Sequence, residues 1–274
     1  MSTELATLLS TARTAVEHGA TYLRTHQPRT ITAKSDRDMV TDLDLTIERL
    51  LRDELTHQTP DIGVHGEEEG GTTSDTRWVL DPIDGTANLT HHIPLTGISL
   101  ALVHANQPVL GVITLPQLSH TYWAAKGLGA FRDGHPITAS NPTTLAASIV
   151  AIGDYATGPT TTGARNATAL AIHTALAPRA QRIRMLGSAA IDLAWTADAS
   201  LAASITLGNQ SWDMAAGSII AREAGAHVVD LDGSTHDTTS RFTIAAAPTL
   251  LPEILTVVRQ AAANTGLTDQ QTPC

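Results

Sequence analysis

The sequence predicts an α/β protein whose first half carries an antiparallel sheet and whose second half alternates strand and helix. Three observations carry that expectation. Apolar runs at 95–104, 108–115 and 119–125 are separated by Asn106-Gln107 and Pro116-Gln117, which supply the turns of successive hairpins. From residue 147 onward, strand-like and helix-like segments alternate, the pattern of α/β packing with partly parallel strands. The chain is 42% hydrophobic but only 3% aromatic, so its core must be built mostly from Ala, Leu, Ile and Val.

Taken in order, Leu5, Leu8, Leu9, Ala12, Val16, Ala20 and Leu23 recur at helical spacing over 3–26, and Gln27-Pro28 ends that helix. A second helix spans 41–56, with Leu43, Ile47, Leu50, Leu51 and Leu55 on its buried side. A short strand at 62–65 leads into Gly66-Glu67-Glu68-Glu69-Gly70-Gly71. Trp78-Val79-Leu80 starts a buried strand that is expected to break at Asp81-Pro82, because proline restricts the residue before it. After the hairpins, 126–134 reads as turn, strand, turn. Pro142, in a Ser/Thr/Pro-rich segment, marks a division into 1–140 and 141–274. The second half reads as strand 147–152, helix 161–177, strand 181–185, helix 188–198, strand 200–206, helix 213–224, strands 226–230 and 242–246, and helix 249–263. The polar tail from Asn264 to Cys274 is expected to fray.

Composition narrows the function. A net charge of −10 disfavours nucleic-acid binding, which needs a basic footprint, and suits a protein that concentrates cations. The single cysteine, Cys274, excludes an internal disulfide framework and a thiolate metal site. No apolar run reaches membrane-spanning length and Met-Ser-Thr-Glu-Leu does not begin a signal peptide, so a cytoplasmic protein without membrane partners is expected.

The chemistry concentrates in Asp81-Pro82-Ile83-Asp84-Gly85-Thr86. Two carboxylates three residues apart make an all-oxygen corner of the kind Mg²⁺ prefers, and a helix starting near Gly85-Thr86 would offer amides to a phosphate. Alone, Asp-x-x-Asp-Gly is more often a turn. Glu67, Glu68 and Glu69 read by themselves as a solvated loop, although the flanking glycines allow one carboxylate to turn back toward Asp81. Asp44 fits a capping box with Thr41 and equally a carboxylate that activates a water through the Thr86 hydroxyl. Asp213 reads alone as a helix N-cap, with Gly225 closing the same helix. Asp230-Leu231-Asp232-Gly233 lacks the spacing of a calcium loop, His91-His92 has no ligand spacing, and Gly187-Ser188-Ala189 is not a nucleophile elbow.

Together, Val40-Thr41-Asp42-Leu43-Asp44, Gly66-Glu67-Glu68, Asp81-Pro82-Ile83-Asp84-Gly85-Thr86 and Trp212-Asp213-x-Ala215-Ala216-Gly217 resemble, in that order, the inositol monophosphatase family of Mg²⁺-dependent phosphatases. Residues 186–194 resemble that family's helix before its last metal ligand, and 63–68 look most like the bacterial inositol-1-phosphatase branch. The resemblance implies a layered αβαβα sandwich of the inositol monophosphatase/fructose-1,6-bisphosphatase type, a homodimer, lithium sensitivity and two to three Mg²⁺ ions. By position, Glu67, Asp81 and the Ile83 carbonyl would hold the first ion, and Asp81, Asp84 and Asp213 the second, with Glu67 helping a third through water. Asp44 and Thr86 would activate the attacking water, with Glu67 beside them. Asp84, Gly85 and Thr86 would meet the phosphate, and Gly187, Ser188, Ala189, Thr206 and Asp154 would border the substrate.

Two positions depart from the family pattern. Animal-type members carry a glutamate seven residues before the Trp-Asp aspartate, where this chain has Thr206, and a serine is common after the glycine where it has Asp154. The implied metal set is complete while the substrate rim is altered. A phosphate monoester, foremost inositol 1-phosphate, is therefore the expected substrate. Histidinol phosphate, fructose 1,6-bisphosphate and adenosine 3′,5′-bisphosphate are rivals, and a non-catalytic binding protein that keeps the metal site is a rival of another class.

Overall fold

In the computed structural model, which describes residues 2–35, 38–157 and 162–267, the chain opens with helix α1 (Ser2–Thr25) and the hairpin β1 (Ile31–Ser35) and β2 (Asp38–Thr41). Helix α2 (Asp42–Gln58) follows, then β3 (Gly63–Gly66), β4 (Gly70–Gly71), β5 (Thr76–Asp84) and the single turn α3 (Thr86–Thr90). A meander comes next: β6 (Gly97–His104), β7 (Gln107–Leu115), β8 (His120–Ala125), β9 (Ala130–Arg132) and β10 (His135–Ile137). The second half runs β11 (Ile149–Ile152), α4 (Thr162–Leu176), β12 (Arg182–Arg184), α5 (Ala189–Ala197), β13 (Ala203–Leu207) and α6 (Ser211–Glu223). It closes with β14 (His227–Val229), β15 (Phe242–Ala246) and α7 (Leu251–Thr265).

Two sheets result. The larger has the order β10-β9-β8-β7-β6-β5-β3-β4 and is antiparallel except where β3 lies parallel to β5. The smaller has the order β12-β11-β13-β15-β14, parallel across its first three strands and antiparallel beyond. Alternation along β5 shows how layers form: Trp78 and Leu80 face α1 and α2, whereas Val79 faces the core shared with α5 and α6. On the far side of the smaller sheet, Ile152, Ile205 and Ile244 pack with Ile172 of α4 and Ile254 of α7. The stacking is helix, sheet, helix, sheet, helix, the αβαβα sandwich expected. The core is indeed aliphatic and alanine-rich, with Trp78, Tyr122 and Phe242 as its large fully buried aromatics.

Three local readings change. β5 does not stop at Asp81-Pro82 but continues to Asp84: Asp81 pairs with Ser99 and Asp84 with Gly97, so one extra residue is accommodated as a bulge. Proline has no N–H to give a ladder, and a bulge is where a strand tolerates it. The β1–β2 hairpin and the two-residue β4 carry no apolar alternation and were not foreseen. The last helix runs to Thr265, past the point at which fraying was expected, and 268–274, with Cys274, lie outside the described residues.

Helix α6 is seated by two glycines that let backbones touch. A Cβ on Gly111 of β7 would lie 2.6 Å from the Ala216 carbonyl oxygen, and one on Gly217 would lie 2.5 Å from the Leu193 Cβ of α5. At its C-terminus, Gly225 at φ +95° is followed by the Ala226 amide donating to the Ala221 carbonyl and its own amide to Arg222, a Schellman closure. Gly111→Ala is expected to destabilise the fold by about 1–3 kcal/mol, because neither backbone can yield without moving its whole element. Urea unfolding measures this, and an unchanged midpoint would refute the close packing of α6 on β7.

Candidate active site

The bulge at the end of β5 determines where the carboxylates go. Asp81 is 2% exposed and its Oδ1 accepts the Ile83 amide at 3.0 Å. Two residues of irregular backbone then turn Asp84 toward α5, where its Oδ2 accepts the Ser188 hydroxyl at 2.7 Å and the Ala190 amide at 2.5 Å. Ser188 caps α5 by accepting from the Ile191 amide. Gly85 follows at φ +93°, where a Cβ would press on the Leu95 and Gly187 carbonyls, and Thr86 opens α3.

Behind Thr86 sits Asp44, 1% exposed, and here two readings of one residue prove compatible. Its Oδ2 accepts the Thr41 amide and hydroxyl at 2.8 and 2.6 Å, closing the capping box of α2. Its Oδ1 accepts from the Thr86 hydroxyl at 3.0 Å, and the same hydroxyl lies 3.0 Å from the Ile83 carbonyl. A hydroxyl has one hydrogen, so only one of these two oxygens is its acceptor at a time. Burial raises the Asp44 pKa above its ordinary value, against the lowering effect of Thr41 and Thr86.

Asp213 is not the N-cap its sequence suggested. Helix α6 starts at Ser211 with Gln210 as cap, and Asp213 is the third helical residue, accepting the Gln210 amide at 3.0 Å. The Gln-Ser-Trp lead-in hid that start, because neither Gln210 nor Ser211 extends the apolar face.

Glu67 is held by its backbone, whose amide donates to the Leu80 carbonyl at 3.1 Å. The next two amides, of Glu68 and Glu69, donate at 2.8 and 3.0 Å to the fully buried carboxylate of Glu48, which Arg52 also meets at 2.8 Å. Gly66 leaves the space Glu48 fills, since a Cβ there would be 2.1 Å from Glu48 Oε1. Glu48 and Arg52 escaped notice in the sequence, although their spacing of four on the helix that carries Asp44 is an ion-pair signature. Lys34 of β1 also went unremarked. Its ammonium lies 2.9 Å from Glu67 and 2.5 Å from Glu68.

Glu67, Asp81, Ile83, Asp84, Gly85, Thr86, Gly187 and Asp213 line one cleft of about 180 Å³. Next to it, sharing Asp84, Gly187 and Asp213, is a cavity of about 200 Å³ bordered by Asp154, Ser188, Ala189 and Thr206. Every site residue that the resemblance implied therefore lines the cleft or this neighbouring cavity, save Asp44, which reaches the cleft through Thr86. His91 and His92 stay exposed outside both. A larger cavity, about 580 Å³, lies elsewhere against α1, and its charged groups are already engaged: Arg13 stacks on Trp123 and His18 meets Glu54. Size does not mark the chemistry here.

The electrostatics of the cleft are strained. Burial, then Glu67, Asp84 and Asp213, hold the Asp81 carboxyl well above the usual range. Burial, then Asp84, pushes Asp213 up to about 8, and burial above all pushes Asp84 up to about 6. Among the described residues no three acidic, His or Cys side chains already form a closed cation cage, and Lys34 lies on Glu67. The donor set nevertheless fits a hard divalent ion: four carboxylates and a carbonyl, all oxygen, crowded until they repel one another.

A profile of the inositol monophosphatase family matches residues 2–263. The chain is 35% identical over 261 residues to the inositol-1-monophosphatase ImpA of Mycolicibacterium smegmatis, covering 93% of each. It is 33% identical to a fructose-1,6-bisphosphatase/inositol-1-monophosphatase of Thermotoga maritima over 84% of this chain and 86% of that one. The solved Thermotoga maritima IMPase superposes with a TM-score of 0.84 at 31% identity, over 92% of this chain and 97% of that one.

Carboxyls raised by folding keep protons that the unfolded chain releases, from the ordinary 3.8 up to about 8 for Asp213. The native state binds more protons in that window, so stability falls as pH rises through it. In EDTA, the melting temperature is expected to drop from about pH 5 to about pH 8 through this linkage, and saturating Mg²⁺ is expected to flatten the drop. Identical slopes with and without Mg²⁺ would show that no such ion meets these carboxylates.

Proposed function

The chain belongs to the inositol monophosphatase family and is a phosphoric monoester hydrolase; from that premise we propose that its cleft hydrolyses inositol 1-phosphate to inositol and phosphate with Mg²⁺ as cofactor. The observation that carries the reading is the Asp44–Thr86 hydrogen bond standing beside four mutually repelling carboxylates. Glu67, Asp81 and Asp213, with Asp84 and the Ile83 carbonyl, would hold two to three Mg²⁺ ions. Bound there, the metal offsets the carboxylate charge, lowers the pKa of water and stabilises charge on the phosphate oxygens.

The chain's own residues do the rest. Thr86 donates its one hydrogen to Asp44 and presents its oxygen lone pairs to a water in the cleft. As that water attacks phosphorus, its proton passes to Thr86 Oγ1 while the Thr86 proton moves to Asp44, whose raised pKa suits a general base. The Gly85 and Thr86 amides, turned by the left-handed Gly85, face the phosphate. The ester oxygen leaves toward the cavity bordered by Asp154, Ser188, Ala189 and Thr206 and takes its proton from a water there, which completes the alcohol. No covalent nucleophile takes part. The same reading includes a cytoplasmic homodimer that lithium inhibits.

Phosphate release by the purified protein is expected only with Mg²⁺, to be strongest on inositol 1-phosphate, and to stop in EDTA. Histidinol phosphate, fructose 1,6-bisphosphate and adenosine 3′,5′-bisphosphate complete the panel, and preference for one of them would overturn the substrate. Asp44→Asn is expected to lower kcat by about 10²–10⁴-fold with little change in KM, the cost of losing a general base. Asp81→Asn is expected to abolish turnover. A folded Asp81→Asn protein with full activity would overturn the metal site.

A further inference from the structure

The cavity beside the cleft holds a buried acid that no step above uses. Asp192, one turn into α5, is 2% exposed, lines this cavity, and its Oδ1 is buried without a hydrogen-bond partner among the described residues. The same helix begins with Ser188 and Ala190, which hold Asp84, so Asp192 stands at a fixed distance from the phosphate end of the site. Arg165, the cationic side chain of the lining, turns away: its Nη2 donates to the Leu207 and Gly208 carbonyls at 2.6 and 2.8 Å. Gly208 is what lets it lie there, since a Cβ would be 2.2 Å from the guanidinium carbon.

Thr206, where animal-type relatives offer a carboxylate, brings only a hydroxyl and a methyl to this lining. Its Oγ1 and Cγ2 lie 3.1 Å from where a Cβ on Gly153 would stand. Besides Asp84 and Asp213, the acids of this cavity are Asp192 on α5 and the more open Asp154. An unpartnered buried carboxyl costs stability and persists where a ligand completes it. Burial, then Asp84 and Asp154, push the Asp192 carboxyl upward, and a hydroxyl suits it in either state, because a hydroxyl both donates and accepts. A second phosphate would bring negative charge against Asp154 and Asp84.

We propose that Asp192 is a specificity-determining residue of this cleft: its carboxyl hydrogen-bonds a hydroxyl of the leaving alcohol, which makes the substrate class polyol monophosphates. The proposal rests on the phosphatase reading above. It predicts a split between esters that differ in leaving-group hydroxyls, which a general structural role would not produce.

The test compares kcat/KM of the wild type, Asp192→Ala and Asp192→Asn on inositol 1-phosphate, glycerol 2-phosphate and p-nitrophenyl phosphate, each with Mg²⁺. Asp192→Ala is expected to lose about tenfold or more on the two polyol esters, the scale of a hydrogen bond to a charged group, and to stay within about twofold on p-nitrophenyl phosphate. Asp192→Asn, which keeps an acceptor, is expected to recover part of the loss. Equal losses on all three esters, or no loss on any, would overturn the role of Asp192 while leaving the phosphatase reading intact. A wild type inactive on every ester would sink that reading and this one with it.

Discussion

Mutual repulsion among crowded carboxylates is the constraint around which this molecule is built. Asp81, Asp84, Asp213 and Glu67 come from three separate stretches of chain and would move apart if the backbone let them. Each is therefore tied to main-chain groups: Asp81 to the Ile83 amide, Asp84 to Ala190, Asp213 to Gln210, and Glu67 by its own amide to Leu80. These ties lie at a bulge, two helix starts and a glycine-bounded loop, where amides are left free by the regular ladder. The fold spends its irregularities on the cleft.

The sandwich makes that possible. Asp81 and Asp84 end a central strand of the larger sheet, while α5 and α6 form the middle layer between the two sheets, so their N-termini reach the strand's end. Close contacts at Gly111 and Gly217 fix α6, and with it Asp213, against both β7 and α5. Small residues run through this middle layer, with Ala190, Ala194, Ala215, Ala216 and Ala221 among the buried ones. The shortage of aromatic residues thus follows from how near the layers must come.

Much of this was legible in the sequence, and the exceptions share a cause. Apolar periodicity located the long helices and the meander because burial on one face writes itself into spacing. It could not register the β1–β2 hairpin, whose residues are largely exposed, nor the continuation of β5 through Pro82, which depends on pairing with β6. Motif order placed Asp44, Glu67, Asp81, Asp84 and Asp213 together, but their supports stayed invisible: Glu48 and Lys34 act on groups twenty to thirty-four residues away in the chain. Gln210 was missed as a cap because nothing in Gln-Ser-Trp marks the start of a helix before its apolar face appears.

Asp44 divides its two oxygens between a helix cap and Thr86. That division has an evolutionary consequence. A lineage that gave up turnover and kept the fold for another purpose would still be under pressure to retain Asp44, since the start of α2 depends on it. Were this aspartate to persist across distant relatives, its persistence alone would record the folding of α2 and not turnover. Among the described residues the Thr86 hydroxyl meets only Asp44 and the neighbouring Ile83 carbonyl, so under the proposed mechanism it is the residue whose drift would mark the loss of turnover.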